Sequence, residues 1–232
     1  MTFLWHPQSA TDISPAPSLG DRVSEHMREA LLNATWKPGD LLLEAELAEQ
    51  YGVSKTPVRE ALRLLSQEGW IDIAPRRGYI VRRLRLHDVR EIFELRVMIE
   101  PALIARTARF ATLRDISELR RRTEEPIDPV DGLDGQSPPG REFHLTCARL
   151  SRNERAATTV TNLLNQVRRL HHLMADIDTH RPMSVIIDDH LAMVDALECR
   201  NPETAHRLMR EHIRADGAKM LDQAKRNLTA GH

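Results

Sequence analysis

Aromatic residues make up only 4% of this 232-residue chain, and Cys147 and Cys199 are its only cysteines. Two sulfurs exclude a disulfide-built scaffold, and their separation lacks the CxxC spacing of a thiolate metal site. A reducing cytoplasm is the expected setting. Long hydrophobic runs are missing too: none approaches the ~18 residues of a membrane-spanning helix. Met1 to Gly20 has no basic stretch ahead of an apolar one and is broken by Pro7, Pro15 and Pro17. It reads as a flexible lead and not as a signal peptide. Net charge is close to zero, −1 over the whole chain, so attraction to a polyanion has to come from a local basic face. No internal repeat of fixed period is present. What remains is 41% hydrophobic, enough for two modest cores at this length, and the low aromatic content suits helices packed on Leu, Ala, Ile and Met.

The stretch from Glu44 to Val81 carries the clearest pattern. Leu47, Ala48 and Tyr51 fall at helical spacing on a short helix, and Gly52 can adopt the left-handed backbone of a tight exit. Ser54 is a suitable N-cap, and Pro57 falls in the first turn of the next helix, where its missing N–H costs little. Val58, Ala61, Leu62 and Leu65 then follow the i, i+3, i+4, i+7 rule of a buried stripe. Lys55, Thr56, Arg59 and Arg63 occupy the opposite face as donors for phosphate oxygens or base edges. The pattern predicts a helix-turn-helix with its recognition helix. Trp70 to Ile73 alternates like a strand, Pro75-Arg76-Arg77-Gly78 is turn chemistry, and Tyr79 to Val81 returns, which predicts a β-wing. Residues 55–85 hold eight Lys/Arg against three Asp/Glu, a local net charge of +5. Upstream, a helix is expected from about Asp21 to Ala34 with Val23, Met27, Ala30 and Leu31 inward. Leu41 to Leu43 is expected to be extended beside the wing.

The run Glu46-Leu47-Ala48, then Val53-Ser54-Lys55-Thr56-Pro57-Val58-Arg59-Glu60-Ala61-Leu62, then Glu68-Gly69 and Arg76-Arg77-Gly78-Tyr79 resembles the winged helix of GntR-type bacterial transcription regulators. The resemblance covers roughly residues 20–85. It implies Lys55, Thr56 and Arg59 in a DNA groove, with Arg77 and Gly78 at the wing. Lys55 stands where the family usually has arginine, which keeps the charge but loses the bidentate fork. Ala45 replaces a residue that is basic in many members.

Arg82-Arg83-Leu84-Arg85 reads as a short, stiff link, and the pattern beyond it is helical. His87 to Glu100 carries Val89, Ile92, Phe93 and Ile99 on one side. Pro101 is expected to kink or interrupt that helix before Ala102 to Ala111 resumes it. Asp115 to Thr123 ends in Arg120-Arg121-Arg122, which fits a solvated last turn answering the helix dipole better than a second DNA contact. Glu125 to Gly140, rich in Pro and Gly, is a long loop. Helices are then expected over Arg141–Leu150, Glu154–Asp176, Ser184–Glu198 and Pro202–Asn227, the last with Asn201 as N-cap.

Eleven histidines raise the question of a metal. His144, His190 and His212 lie in apolar stripes of three different expected helices. Each alone reads as a hydrogen-bonded core residue; together they can converge, and neutral imidazole is a common ligand for Zn, Ni or Fe. His171 and His172 lie beside Arg168 and Arg169, near a pocket or in solvent, and His180 falls in a loop.

Residues 87–227 resemble the all-helical FCD ligand domain of the FadR branch of the GntR family, through Phe143-His144 followed by Asn153, Asp189-His190 before Ala196-Leu197, and Glu211-His212. That resemblance implies a divalent metal on His144, His190 and His212, with an aspartate one turn before the first. Gly140 stands at that position. Water, an effector carboxylate, or Asp131 or Asp134 from the loop are the substitutes. The alternative is a polar pocket without metal. The resemblance also implies that Arg96 lines the effector cavity, where it can clamp a carboxylate; on sequence alone it reads equally as a surface arginine.

The expected protein is therefore mainly α: a flexible lead (1–19), a winged helix-turn-helix (20–85) and an all-helical effector domain (86–228). The expected function is an effector-responsive, homodimeric regulator, repressing by default, that binds a palindromic DNA operator and senses a small organic acid. DNA contacts would come from Lys55, Thr56, Arg59, Arg63, Arg77 and Gly78, and effector contact from Arg96. A metal-dependent hydrolase carrying a DNA-binding domain is the rival, but no HExxH or comparable base-bearing signature accompanies the histidines.

Overall fold

The computed structural model describes residues 19–83, 85–125, 139–173 and 182–230. The expected flexible lead falls outside these residues up to position 18, as do most of the Pro/Gly loop, Asp131, Asp134 and His180. The chain divides into two compact units, with the break between Arg82 and Arg83 and residues 30–39 grouped with the second.

Helix α1 spans Leu19–Leu32, beginning two residues before the expected start. Val23 and Met27 are buried as the stripe predicted, whereas Ala30 is only half-buried. Strand β1 (Leu41–Leu42), α2 (Glu44–Tyr51), α3 (Lys55–Gln67), β2 (Ile71–Ala74) and β3 (Gly78–Val81) follow. Gly52 takes the left-handed conformation at φ 64°, and its N–H caps α2 on the carbonyl oxygens of Ala48 and Glu49. Val58, Ala61, Leu62 and Leu65 form the inward face of α3. Ser54 does occupy the N-cap of α3, but its side chain makes no capping hydrogen bond. The strands form one antiparallel sheet in the order β1-β3-β2, so Leu41-Leu42 does extend the wing, pairing with Ile80 and Tyr79.

At the tip of the wing, Arg77 N–H donates to Ala74 O at 2.9 Å. Pro75 fixes its own φ near −65° and Arg76 has φ 64°, the combination of a type II turn with arginine where glycine is usual. Gly78 is fixed by contact. At φ 115°, a Cβ there would meet Leu42 O at 2.6 Å.

The second unit is helical: α4 (Leu86–Phe110), α5 (Leu113–Glu124), α6 (Pro139–Leu150), α7 (Glu154–Leu173), α8 (Met183–Glu198) and α9 (Pro202–Ala230). Its core gathers Val89, Ile92 and Phe93 of α4 with Leu170 of α7, Met193 and Leu197 of α8, and Met209 and Ile213 of α9. Pro101 does not interrupt α4, which runs unbroken for 25 residues. An interior proline costs about 3 kcal/mol. Burying Val89, Ile92, Phe93, Leu103 and Ile104 contributes roughly 1.5–3 kcal/mol each, so packing outweighs the lost backbone bond.

Side-chain caps set several boundaries. Thr112 and Asp115 form a reciprocal capping box at α5. Asn153 Oδ1 accepts from Ala156 N–H at α7, and Asn201 Oδ1 accepts from Thr204 N–H at α9, as expected. The arginine cluster closing α5 is ion-paired within this unit: Arg120 with Asp195 and Glu198 of α8, Arg121 and Arg122 with Glu118. No helix among the described residues is long and apolar enough to cross a membrane.

Candidate nucleic-acid interface and metal centre

Helix α3 presents Lys55, Thr56, Arg59 and Arg63 as one exposed face, backed by the buried stripe, and Arg77 is exposed on the wing of the same unit. Arg59 is held by a second helix. Its Nε donates to Glu44 Oε1 and Oε2 at 3.1 and 3.0 Å, and its third bond runs from a terminal nitrogen to Oε2 at 2.8 Å. This hydrogen bonding lowers the Glu44 pKa despite some burial. The pair sits at the surface, with Arg59 61% exposed, so a stronger anion can take the guanidinium over.

In the helical unit three imidazoles converge, His144 from α6, His190 from α8 and His212 from α9, each at most 4% exposed. One nitrogen of each lies within 4.8 Å of the others, and His190 Nε2 stands 3.3 Å from His212 Nε2. Two nitrogens each ~2.0–2.1 Å from one tetrahedral ion are roughly 3.3 Å apart. The donor set and this spacing therefore fit a divalent ion.

Two of the three remaining nitrogens, those of His144 and His212, are oriented by carboxylates. His144 Nδ1 meets Glu100 Oε2 at 2.5 Å, and Arg96 Nε donates to the other oxygen, Oε1, at 2.6 Å. Burial opposes ionisation of Glu100, but Arg96 and His144 outweigh it and hold the carboxyl down at about 2. An ionised carboxylate can only accept, so His144 Nδ1 carries a proton, the arrangement in which a carboxylate orients a ligating histidine. On α9, His212 Nδ1 meets Asp189 Oδ2 at 2.9 Å, and burial pulls its imidazole below the ordinary value, towards the neutral, ligating form. The His190 ring is stacked on Phe143, centroids 4.1 Å apart and planes 9° from parallel. Cys147 stands outside the three-histidine group, and burial pushes its thiol pKa far up.

Gly140 lies in the first turn of α6 and not at the end of a loop. A Cβ there would stand 3.3 Å from His190 Cε1, so the position faces the histidine cluster even though it brings no ligand. Beside it a cavity of about 50 Å³ is lined by Gly140, Phe143, Thr146, Ile186 and His190. Arg96 is 2% exposed; it bonds Glu100 through Nε and lies 5.2 Å over the Phe93 ring, so it is not a surface arginine. His171 and His172 are half-buried and stand outside the three-histidine group.

Sequence reasoning missed Glu100, Asp189 and Asp216. The signal was available as spacing: Arg96 and Glu100 are one turn apart, as are His212 and Asp216. The latter pair has its Nε2 and Oδ2 atoms 3.2 Å apart.

The match to bacterial regulatory proteins of the gntR family covers residues 19–81, and the match to the FCD domain covers residues 91–215. An HTH-type transcriptional regulator from an unstable DNA locus of Streptomyces ambofaciens is 31% identical over 201 residues, 82% of this chain and 79% of that one. The HTH-type transcriptional repressor RspR of Escherichia coli K12 is 26% identical over 205 residues, 88% and 89% of the two chains. Among solved structures, E. coli McbR/YncC superposes with a TM-score of 0.72 at 23% identity, over 89% of this chain and 98% of that one. A GntR regulator from Rhodococcus sp. RHA1 gives the same TM-score at 25% identity, over 88% and 97%.

Proposed function

Because the chain belongs to the GntR family of bacterial transcription regulators and carries an FCD domain, we propose that it is a ligand-released repressor working as a homodimer on a palindromic operator. Two copies of a winged helix related by a twofold axis read two half-sites related by the same axis. Lys55, Thr56, Arg59 and Arg63 enter the groove from α3, and Arg77 reaches the backbone from the wing beside Gly78. Repression, and not activation, is favoured by likeness to a relative named as a repressor.

The effector in this reading is a small carboxylate taken up in residues 86–228. His144, His190 and His212 hold a divalent ion such as Zn(II) or Ni(II), which when bound supplies a Lewis-acidic position for an anionic oxygen. The chain's own residues do the rest. Glu100 and Asp189 fix the histidine tautomers, Arg96 anchors Glu100 and adds positive charge next to the site, and the opening by Gly140 admits the ligand. The observation that carries the reading is the convergence of three buried imidazoles, two of them with carboxylate-fixed outer nitrogens. The hydrolase alternative is disfavoured because the relatives are named as transcriptional regulators, as is the Rhodococcus structure.

The test is a footprint of the purified chain on DNA flanking its own gene at low salt, repeated with a panel of small organic acids. A protected palindrome that one acid releases supports the reading. Protection of no site, or of a site indifferent to every acid and to metal removal, overturns it.

A further inference from the structure

Three imidazoles give a divalent ion three donors, one short of the four of a closed tetrahedral site. We propose that Asp216 supplies the fourth, making the centre His144, His190, His212 and Asp216. The inference rests on the reading that the three histidines hold an ion.

Placement separates Asp216 from the other acids of the region. Glu100 and Asp189 sit on Nδ1 atoms, the outer nitrogens of His144 and His212, where a carboxylate orients a ligand without being one. Asp216 meets the inner nitrogen instead: its Oδ2 lies 3.2 Å from His212 Nε2. That same Nε2 is 3.3 Å from His190 Nε2. Both separations equal what two donors on one tetrahedral ion require, roughly 3.3 Å. The cause is helical spacing, since residues four apart on α9 share a face one turn apart. Asp216 stands outside the group whose donor atoms all lie within 4.8 Å of one another, so its carboxylate must swing from the imidazole to the ion, and at 25% exposed it has the freedom to do so.

A carboxylate oxygen added to three imidazoles also changes the chemistry. It makes the site harder, suited to Zn(II), Ni(II), Co(II), Fe(II) or Mn(II) and poor for Cu(I). One negative charge leaves the ion–ligand group at +1, which a single effector carboxylate neutralises on entering as a fifth ligand, the expansion open to such an ion.

Gly140 provides an independent handle. It is helical without a left-handed φ, and a Cβ there lies 3.3 Å from His190 Cε1, so an aspartate at 140 brings a carboxylate to the cluster from α6 with only a small shift of the ring. The experiment measures Co(II) affinity by chelator competition, and the visible ligand-field spectrum, for the full-length protein and for Asp216→Asn, Gly140→Asp and the double variant, with far-UV circular dichroism checking the fold of each.

We expect Asp216→Asn to lose roughly 100-fold or more in affinity, beyond what removal of an outer partner usually produces, with a changed spectrum, and the double variant to recover most of the loss. Asp216→Asn with wild-type affinity overturns the ligand assignment and leaves the three-histidine reading standing. A weakened affinity with an unchanged spectrum makes Asp216 an orienting residue and overturns it equally. If the parent protein takes up no Co(II), Ni(II) or Zn(II), the three-histidine reading falls, and this inference with it.

Discussion

A Cβ at Gly78 would stand 2.6 Å from the carbonyl oxygen of Leu42 and 3.0 Å from Leu43 Cδ2, at φ 115°. Backbone cannot yield as a side-chain tip can, so Gly78→Ala is expected to cost about 1–3 kcal/mol and to detach β1 from the sheet; a wild-type thermal midpoint would refute that. Arg59 presents a different case, because its guanidinium is already neutralised by Glu44. Glu44→Gln should tighten binding to random duplex several-fold by freeing that charge, while Arg59→Ala should weaken operator binding roughly tenfold to a hundredfold. Equal losses for Arg59→Ala on operator and random DNA would show a backbone contact only. The two residues also show what single positions reveal. The donor face of α3 was legible because amphipathic spacing separates it from the stripe. The Glu44 clamp was not, since the partners are fifteen positions apart and meet only through folding. Likewise the three histidines could be named from their apolar surroundings, but the buried Arg96–Glu100–His144 chain joins two helices and leaves no local pattern beyond one i, i+4 pair.

Elements were legible to the extent that capping and periodicity agreed. Asn201 and Pro202 start α9, the Gly52 turn ends α2, and the stripe of α3 is buried as spaced. α4 shows the limit: Pro101 argues for a break, and only tertiary packing along both halves keeps 25 residues helical. Packing also accounts for Gly217, which no sequence rule singles out. A Cβ there would lie 3.0 Å from Phe93 Cγ and Cδ1, so α4 and α9 approach at a side-chain-free point. Gly217→Ala gains about 1 kcal/mol of helix propensity and loses about 1–3 kcal/mol to overpacking. We expect net destabilisation of the helical unit, and because Phe93 lies under Arg96, weaker metal uptake as well. A more stable variant with unchanged metal affinity would show that the helices separate freely at this point.

For the whole molecule, the proposed function demands that the helical unit and the winged helix share one equilibrium, and linkage makes this measurable without knowing the route between them. An ion that binds only the folded helical unit stabilises it by about 2.7 kcal/mol at a hundred times its dissociation constant. That alone requires no effect on DNA. Regulation requires more: the effector must bind DNA-competent and incompetent arrangements with different affinities. Whatever factor the effector takes from operator affinity, saturating operator must then take from effector affinity. A regulator of this kind shows a factor of about 5–150, so titrating the released acid into free and operator-bound protein should give dissociation constants differing by the factor that the acid imposes on operator binding. Random duplex at the same salt should give a smaller shift, since backbone contacts carry no requirement for two aligned half-sites. Equal effector affinities in the free and operator-bound protein would mean that the acid binds without regulating. The histidine centre would then serve the stability of the helical unit and not the release of DNA.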